Sequence, residues 1–190
     1  MLLLVGLGNP GSNYTNTRHN IGFKIIDAIN AHFKLSKQKP KFKGLLTTGN
    51  IDEKKIYAIK PLTFMNNSGT AIKELIDYFK IDAKDVFVFH DDMDIDFGKI
   101  KAKFGCSSAG HNGIESIDKF IGKDYSRVRI GIGHPKQKKK VNNHVLEDFK
   151  EDEEEKINEI TENIVKQLPT LIDKKIDLFS SKVNQDLNGI

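Results

Sequence analysis

The chain has 190 residues, of which 38% are hydrophobic and 29% charged, a composition typical of a folded globular protein about the size of one domain. Its apolar N-terminal run, residues 2–7, is too short to cross a bilayer and lacks the basic flank of a signal peptide. One cysteine, Cys106, excludes an internal disulfide framework. Together these features predict a cytoplasmic protein without a membrane anchor.

The predicted elements alternate between strands and helices. In chain order, strands are predicted over residues 2–6, 44–50, 55–59, 86–90, 100–104 and 127–132. Apolar residues at helical spacing predict helices within residues 21–33, 71–79 and 110–120, and one or two more from 157 to 176, with a break near Pro169. No repeat or linker interrupts residues 1–190, so we expect a single α/β domain with helices on both faces of its sheet.

The net charge of +4 is unevenly distributed along the chain. Residues 147–190 hold 12 acidic and 6 basic side chains, so residues 1–146 carry a balance of +10. A basic body favours a polyanionic partner, because clustered cations release counterions from phosphates. A lysine-rich, merely solvated surface is an equally good interpretation of charge alone, and so is a solvated loop for the lysine-rich residues 136–140.

Residues 6–11 (GLGNPG) match the dinucleotide-binding pattern G-x-G-x-x-G, but their context does not fit it. In such a site a helix opens at the glycines and holds the pyrophosphate at its N-terminus. Here Pro10 interrupts the glycines and residues 12–17 have the composition of a loop. We therefore reject a nucleotide-dependent oxidoreductase.

Several motifs resemble those of bacterial-type peptidyl-tRNA hydrolases. They are residues 5–11 (VGLGNPG), 17–22 (TRHNIG), 60–69 (KPLTFMNNSG), 90–94 (HDDMD), 110–113 (GHNG) and 127–135 (RVRIGIGHP). The resemblance implies a mixed sheet flanked by helices and a monomeric enzyme that needs no metal or other cofactor. It also implies that the substrate is peptidyl-tRNA.

The resemblance further implies which residues form the site. The family's catalytic histidine falls on His19 and its partner carboxylate on Asp91. The other implied site residues are Asn9 and Asn112 in catalysis, Asn66 with Asn112, Tyr14 and Phe64 in substrate binding, and Lys103 with Arg129 as a basic pair that grips a tRNA phosphate.

These residue types suit the hydrolysis of an ester near neutral pH. Histidine has an unperturbed pKa of about 6.5, so a usable fraction is neutral and can activate water. A carboxylate such as Asp91 fixes the tautomer of the ring and stabilises the imidazolium. Asparagine amides donate and accept hydrogen bonds without charge. We expect Asn112 to position water or the oxyanion, Asn66 to hold the peptide backbone, and Asn9 to distinguish a blocked from a free amino group.

Other interpretations of single residues stay open at this point. His19 alone could be a surface histidine, Asn66 part of a helix cap and Asp91 one acid of a loop, with Asp92 and Asp94 facing solvent. We expect His111 to pack beneath the turn at residues 110–113 or to act as a gate.

Two rival functions also remain. Cys106 as a covalent nucleophile lacks a G-x-S-x-G elbow and any sign in the sequence of an electropositive setting. A non-enzymatic RNA-binding protein of the same fold would be free to lose the base or its carboxylate, whereas this chain keeps both.

Overall fold

The computed structural model describes residues 1–135 and 141–187, so the lysine-rich residues 136–140 lie outside the described part. The strands are β1 (Leu2–Gly6), β2 (Lys39–Lys41), β3 (Gly44–Ile51), β4 (Lys54–Pro61), β5 (Val86–Asp92), β6 (Ile100–Phe104) and β7 (Ser126–Gly131). The helices are α1 (Ile21–His32), α2 (Ser68–Phe79), α3 (Asn112–Ile121), α4 (Val141–Leu146), α5 (Glu151–Ile172) and α6 (Ile176–Leu187). None of the helices described combines the length and the apolar composition needed to cross a bilayer.

The described strands form one mixed sheet in the order β2-β3-β4-β1-β5-β7-β6. Its centre is parallel, with β1 between β4 and β5, and β5 next to β7. Both edges are antiparallel, through the pairs β2–β3, β3–β4 and β6–β7. Helices cover both faces: α1, α5 and α6 pack on one, and α2 and α3 on the other. The predicted fold class is therefore confirmed.

All six predicted strands are present, and β2 was missed. Its sequence is Lys39-Pro40-Lys41, all three residues are exposed, and among the described strands it pairs with β3 at the edge of the sheet. A short, charged, proline-containing strand gives no apolar alternation, yet it is suited to an edge because it discourages pairing with other chains. Helix α4 was missed as well, since its six residues are too few for a helical period to stand out.

The predicted break near Pro169 is wrong. Helix α5 continues through Pro169 to Ile172, and the chain reverses only at Lys174, which has a φ of 63°. Proline removes one backbone donor from a helix, but Leu168 and Leu171 on either side of it are fully buried against the sheet. Their packing holds the helical path, and the helix ends where a left-handed residue closes its last turn.

Glycines in the N-terminal motif serve packing between β1 and α1. A Cβ on Gly6 would lie 2.1 Å from the carbonyl oxygen of Gly22, so both backbones approach as closely as glycine allows. Residues 12–17 lie in a loop with a short 3₁₀ turn, and no helix opens at the glycines. The rejection of a dinucleotide site agrees with this geometry.

Candidate active site

His19 and Asp91 meet at the carboxyl end of β5. A 3₁₀ turn over Arg18–Asn20 leads into α1 and brings His19 onto this strand end. Nδ1 of His19 lies 2.8 Å from Oδ1 of Asp91, and both side chains are buried. Because a carboxylate only accepts, Nδ1 carries the proton and Nε2 is left as a basic nitrogen. His19 also lines two clefts at this end of the sheet, one together with Asp91 and His111 and the other together with Asn66 and Asn112. The free nitrogen can therefore reach a bound molecule.

Burial and charge oppose each other in this pair. Burial lowers the pKa of His19, but the negative charge of Asp91 and its hydrogen bond raise it, and the net pKa lies above the ordinary histidine value. Burial likewise raises the pKa of Asp91, while its electrostatic interactions and hydrogen bonds with His19 and His111 bring it well below the usual carboxyl range. Asp91 therefore stays ionised and stabilises a proton on His19.

His111 donates a second hydrogen bond to Asp91. Its Nε2 lies 3.0 Å from the same Oδ1, while its Nδ1 accepts the backbone N–H groups of Gly113 and Ile114 and so caps α3. Since Nδ1 is an acceptor, Nε2 must carry the proton and donate to Asp91. We expected a packing or gating residue, and the contact with Asp91 went unpredicted. A histidine at a helix cap next to Asn112 was the signal in the sequence.

His19, Asp91 and His111 place three possible metal-ligating atoms within 4.8 Å of one another. The histidines looked scattered in the sequence, and for these two that interpretation is wrong. The nitrogen that each histidine directs at Asp91 already forms a hydrogen bond to it. The nitrogens that face Asp91 therefore already have a hydrogen-bond partner, and a metal would have to displace both hydrogen bonds.

Asn9 is held rigidly at the edge of the cleft. Asn20 clamps its backbone by accepting the Asn9 N–H at 2.8 Å and donating to the Asn9 carbonyl at 3.0 Å. The Asn9 side-chain oxygen accepts the backbone N–H of Met65 at 2.9 Å. Within the described ranges Nδ2 has no partner, so its amide hydrogens remain available to a substrate. Asn20 was missed in the sequence because it looks like part of a helix cap.

The remaining asparagines line a shared cleft of about 250 Å³ beside His19. Asn66 is exposed in the turn before α2, and Asn112 is exposed at the first residue of α3. Phe64 lies next to them with 59% of its surface exposed, and Leu146 from α4 is 45% exposed. The cleft thus joins neutral amides with an apolar wall, which suits a peptide better than a polyanion.

Arg18 anchors the turn that carries His19. Its buried guanidinium donates to Glu153 of α5 at 2.7 Å and to the carbonyls of His144 and Glu147. It also lies over the ring of Phe149, 5.5 Å from the ring centroid. The acidic C-terminal region therefore supplies a partner for a cation next to the site, a contact that the charge count did not reveal.

Lys103 and Arg129 lie in a separate open groove of about 600 Å³ along β6 and β7. In the register of these strands Arg129 stands opposite Lys101, and Lys103 stands diagonally from it. Lys101 and Lys103 are exposed, and Lys101 was not singled out in the sequence. Cross-strand neighbours on one face lie close enough to act together, so the groove presents a row of cations.

Asp92 does not face solvent, so that expectation is wrong. Its side chain is 6% exposed, and its Oδ2 accepts Nε of Arg129 at 2.7 Å. Consecutive residues of a strand point to opposite faces. Asp91 therefore lies on the side of α1 with His19, and Asp92 on the side of Arg129. Asp94 is exposed, as predicted.

Two sequence candidates lie away from these clefts. Tyr14 is half-buried in the loop before His19 and is not among the described residues that line the clefts at His19. Cys106 does have an electropositive neighbour, contrary to expectation, because Nη1 of the buried Arg127 lies 3.6 Å from its sulfur. Cys106 nevertheless lies outside the described lining of both clefts.

Comparisons with known proteins agree with the motifs. The family model described as Peptidyl-tRNA hydrolase matches residues 3–189. The peptidyl-tRNA hydrolase of Pelagibacter ubique is 72% identical over 97% of this chain and 99% of its own length. That of Ehrlichia ruminantium is 45% identical over 95% of this chain and 93% of its own. A crystal structure of peptidyl-tRNA hydrolase from Acinetobacter baumannii superposes with a TM-score of 0.91 at 33% identity, covering 97% of this chain and 94% of that one.

Proposed function

Because the chain belongs to the peptidyl-tRNA hydrolase family, and so is an enzyme that hydrolyses the ester between a peptide and its tRNA, we propose that His19 is its general base. The observation that carries this proposal is the buried contact of 2.8 Å between Nδ1 of His19 and Asp91. It leaves Nε2 unprotonated and next to the cleft that the asparagines line.

In the proposed reaction, Nε2 of His19 removes a proton from water as the water oxygen attacks the ester carbonyl carbon. Negative charge develops on the carbonyl oxygen, and the amide of Asn112 donates a hydrogen bond to it or to the water. The tetrahedral intermediate then collapses, and the bond to the tRNA ribose oxygen breaks. His19 returns its proton to that oxygen, so the products are a peptide carboxyl group and a tRNA with a free hydroxyl.

Asp91 and the other asparagines orient the participants in this proposal. Asp91 stabilises the imidazolium that forms when His19 takes the proton. Asn66 binds the peptide backbone, with Phe64 as an apolar neighbour. Asn9 places Nδ2 where the blocked amino group of the substrate lies, and Asn20 keeps its backbone from turning away.

The tRNA body binds elsewhere. We assign Lys103 and Arg129 to a phosphate of the tRNA, because they lie in the exposed basic groove of β6 and β7 and guanidinium and ammonium groups both bind phosphate. Tyr14 is assigned to the tRNA side of the loop before His19. We further propose that residues 1–190 act as one domain, as a monomer, in the cytoplasm where tRNA is used.

Release of the N-blocked amino acid from N-blocked aminoacyl-tRNA by the purified protein tests this function, with free aminoacyl-tRNA as the control substrate. We expect turnover of the blocked substrate and little of the free one. Binding of tRNA without turnover would instead support the non-enzymatic alternative. Full activity of Cys106→Ala is expected, and its loss would point to a covalent nucleophile.

A further inference from the structure

We infer that Asp92 is a positioning residue that aims the guanidinium of Arg129 at a phosphate of the tRNA. This inference rests on the proposed role of Arg129. Both oxygens of the Asp92 carboxylate are used: Oδ1 accepts the backbone N–H of Asp94 at 2.9 Å, and Oδ2 accepts Nε of Arg129 at 2.7 Å. The Asp94 contact fixes the carboxylate plane, and the carboxylate in turn fixes Arg129.

The contact uses only one edge of the guanidinium. A guanidinium carries five N–H groups in a planar fork, and the bond from Nε to Asp92 leaves those on the two Nη nitrogens. In the described part of the chain they have no partner, and the Arg129 side chain is 21% exposed at the groove. Two parallel N–H groups match a phosphate bidentately. Asp92 thus holds one edge of the fork, and Arg129 itself lines the groove.

Charge alone does not explain this pair. A buried carboxylate beside Arg129 reduces the net positive potential of the groove, so it would weaken binding if only the number of charges mattered. Holding Arg129 in one orientation reduces the side-chain entropy lost when the phosphate binds. The exposed Lys101 and Lys103 supply the long-range attraction, and the Asp92–Arg129 pair fixes the orientation in which the guanidinium meets the phosphate.

The position of Asp92 ties this orientation to catalysis. It follows Asp91 directly in β5, and its strand partner is Gly131, two residues after Arg129 in β7. Asp91, which holds the His19 base, and Asp92, which holds Arg129, are therefore neighbours on one strand, and their side chains point to its two faces. A phosphate bound by Arg129 lies at a set distance from the ester that His19 attacks.

Asp92→Asn tests the inference because it preserves shape. The amide has one oxygen, so it can accept from Asp94 or from Arg129, but then its NH₂ group faces the other donor. We expect KM for N-blocked aminoacyl-tRNA to rise about tenfold, as for loss of a charge-assisted hydrogen bond. The kcat, its pH profile, and the hydrolysis of a short ester substrate without the tRNA body are expected to stay unchanged.

Asp177→Asn is the matched control. Asp177 is an exposed carboxylate on α6 that lines the same groove and has no contact with Arg129 in the residues described. If charge alone governs binding, both variants lower KM. If Asp92 positions Arg129, only Asp92→Asn raises it. A lower or unchanged KM in Asp92→Asn overturns the inference.

A double-mutant cycle with Arg129→Ala separates this inference from the function on which it rests. In the Arg129→Ala background Asp92→Asn is expected to add nothing, since the group it orients is gone. An equal effect in both backgrounds, or a shifted pH profile, means that Asp92 supports the fold or His19 instead. If Arg129→Ala itself leaves KM unchanged, the phosphate contact of Arg129 fails. If Arg129→Ala raises KM and Asp92→Asn does not, the inference about Asp92 alone fails.

Discussion

The two faces of the carboxyl end of β5 differ in how they use charge. At the catalytic end, His19 from the turn before α1 and the partly buried His111 from the start of α3 both lie within hydrogen-bond distance of the buried Asp91. On the other side, the groove of β6 and β7 exposes its lysines to solvent. Buried pairs are screened little by salt, whereas exposed cations act over a Debye length and lose their attraction as salt rises. Changes in salt concentration should therefore act mainly on binding at the exposed groove, and changes in pH mainly on catalysis at His19.

The largest expected effect is on the buried face. His19→Ala removes the base, and we expect kcat to fall about 100- to 10,000-fold, while binding of tRNA measured by filter retention survives. His32→Ala, which removes an exposed histidine at the end of α1, is the matched control. Loss of tRNA binding equal to the loss of rate would contradict the assignment.

Asp91→Asn is expected to lower kcat on the order of 100-fold, since the ring loses the partner that fixes its tautomer. The pKa of His19 lies above its ordinary value because of Asp91, and the reaction requires neutral His19. The wild-type rate therefore falls as the pH drops through this raised pKa. Without the carboxylate the pKa falls, and the acid limb of the kcat profile moves to lower pH. An unchanged profile would identify Asp91 as a structural acid.

On the exposed face, replacing both Lys103 and Arg129 by Ala is expected to raise KM for peptidyl-tRNA roughly 10- to 100-fold, as for loss of two phosphate contacts. The slope of log KM against log salt is expected to flatten by about one to two units. A short ester substrate without the tRNA body serves as the control and is expected to be hydrolysed normally. Equal losses on both substrates would mean that the pair supports the catalytic face.

His111→Asn sharpens the comparison within the buried face. Asparagine caps helices well, so the start of α3 is retained while the hydrogen bond to Asp91 is lost. We expect kcat to fall about tenfold, the size of one charge-assisted hydrogen bond, with little change in KM. His32→Asn, at an exposed position, controls for loss of a histidine. Wild-type kcat would leave His111 with the capping role alone.

Removal of divalent metal ions is expected to have no effect on activity. EDTA is expected to leave turnover intact, because the histidine nitrogens directed at Asp91 form hydrogen bonds to it. Activity lost to EDTA and regained with a divalent ion would mean that His19, Asp91 and His111 hold a metal, and that the proposed mechanism is wrong.

The sequence alone determined the elements that repeat locally. Apolar runs such as the one in β5 and the helical spacing in α1 are set by burial on one face of each element, so the strands and the sandwich class followed from them. The motifs around His19 and Asp91 were also visible, because loops at strand ends carry polar residues that packing does not require.

The tertiary structure decided the contacts between distant segments. His111 was visible, but its bond to Asp91 depends on where α3 begins relative to β5, 20 residues away. Asp92 looked like a solvent-facing acid until the register of β5 with β7 placed Arg129 beside it. Pro169 stayed in a helix because its neighbours are buried. Hydrogen bonds and ion pairs between side chains on separate elements leave no period in the sequence, so only the packed structure reveals them.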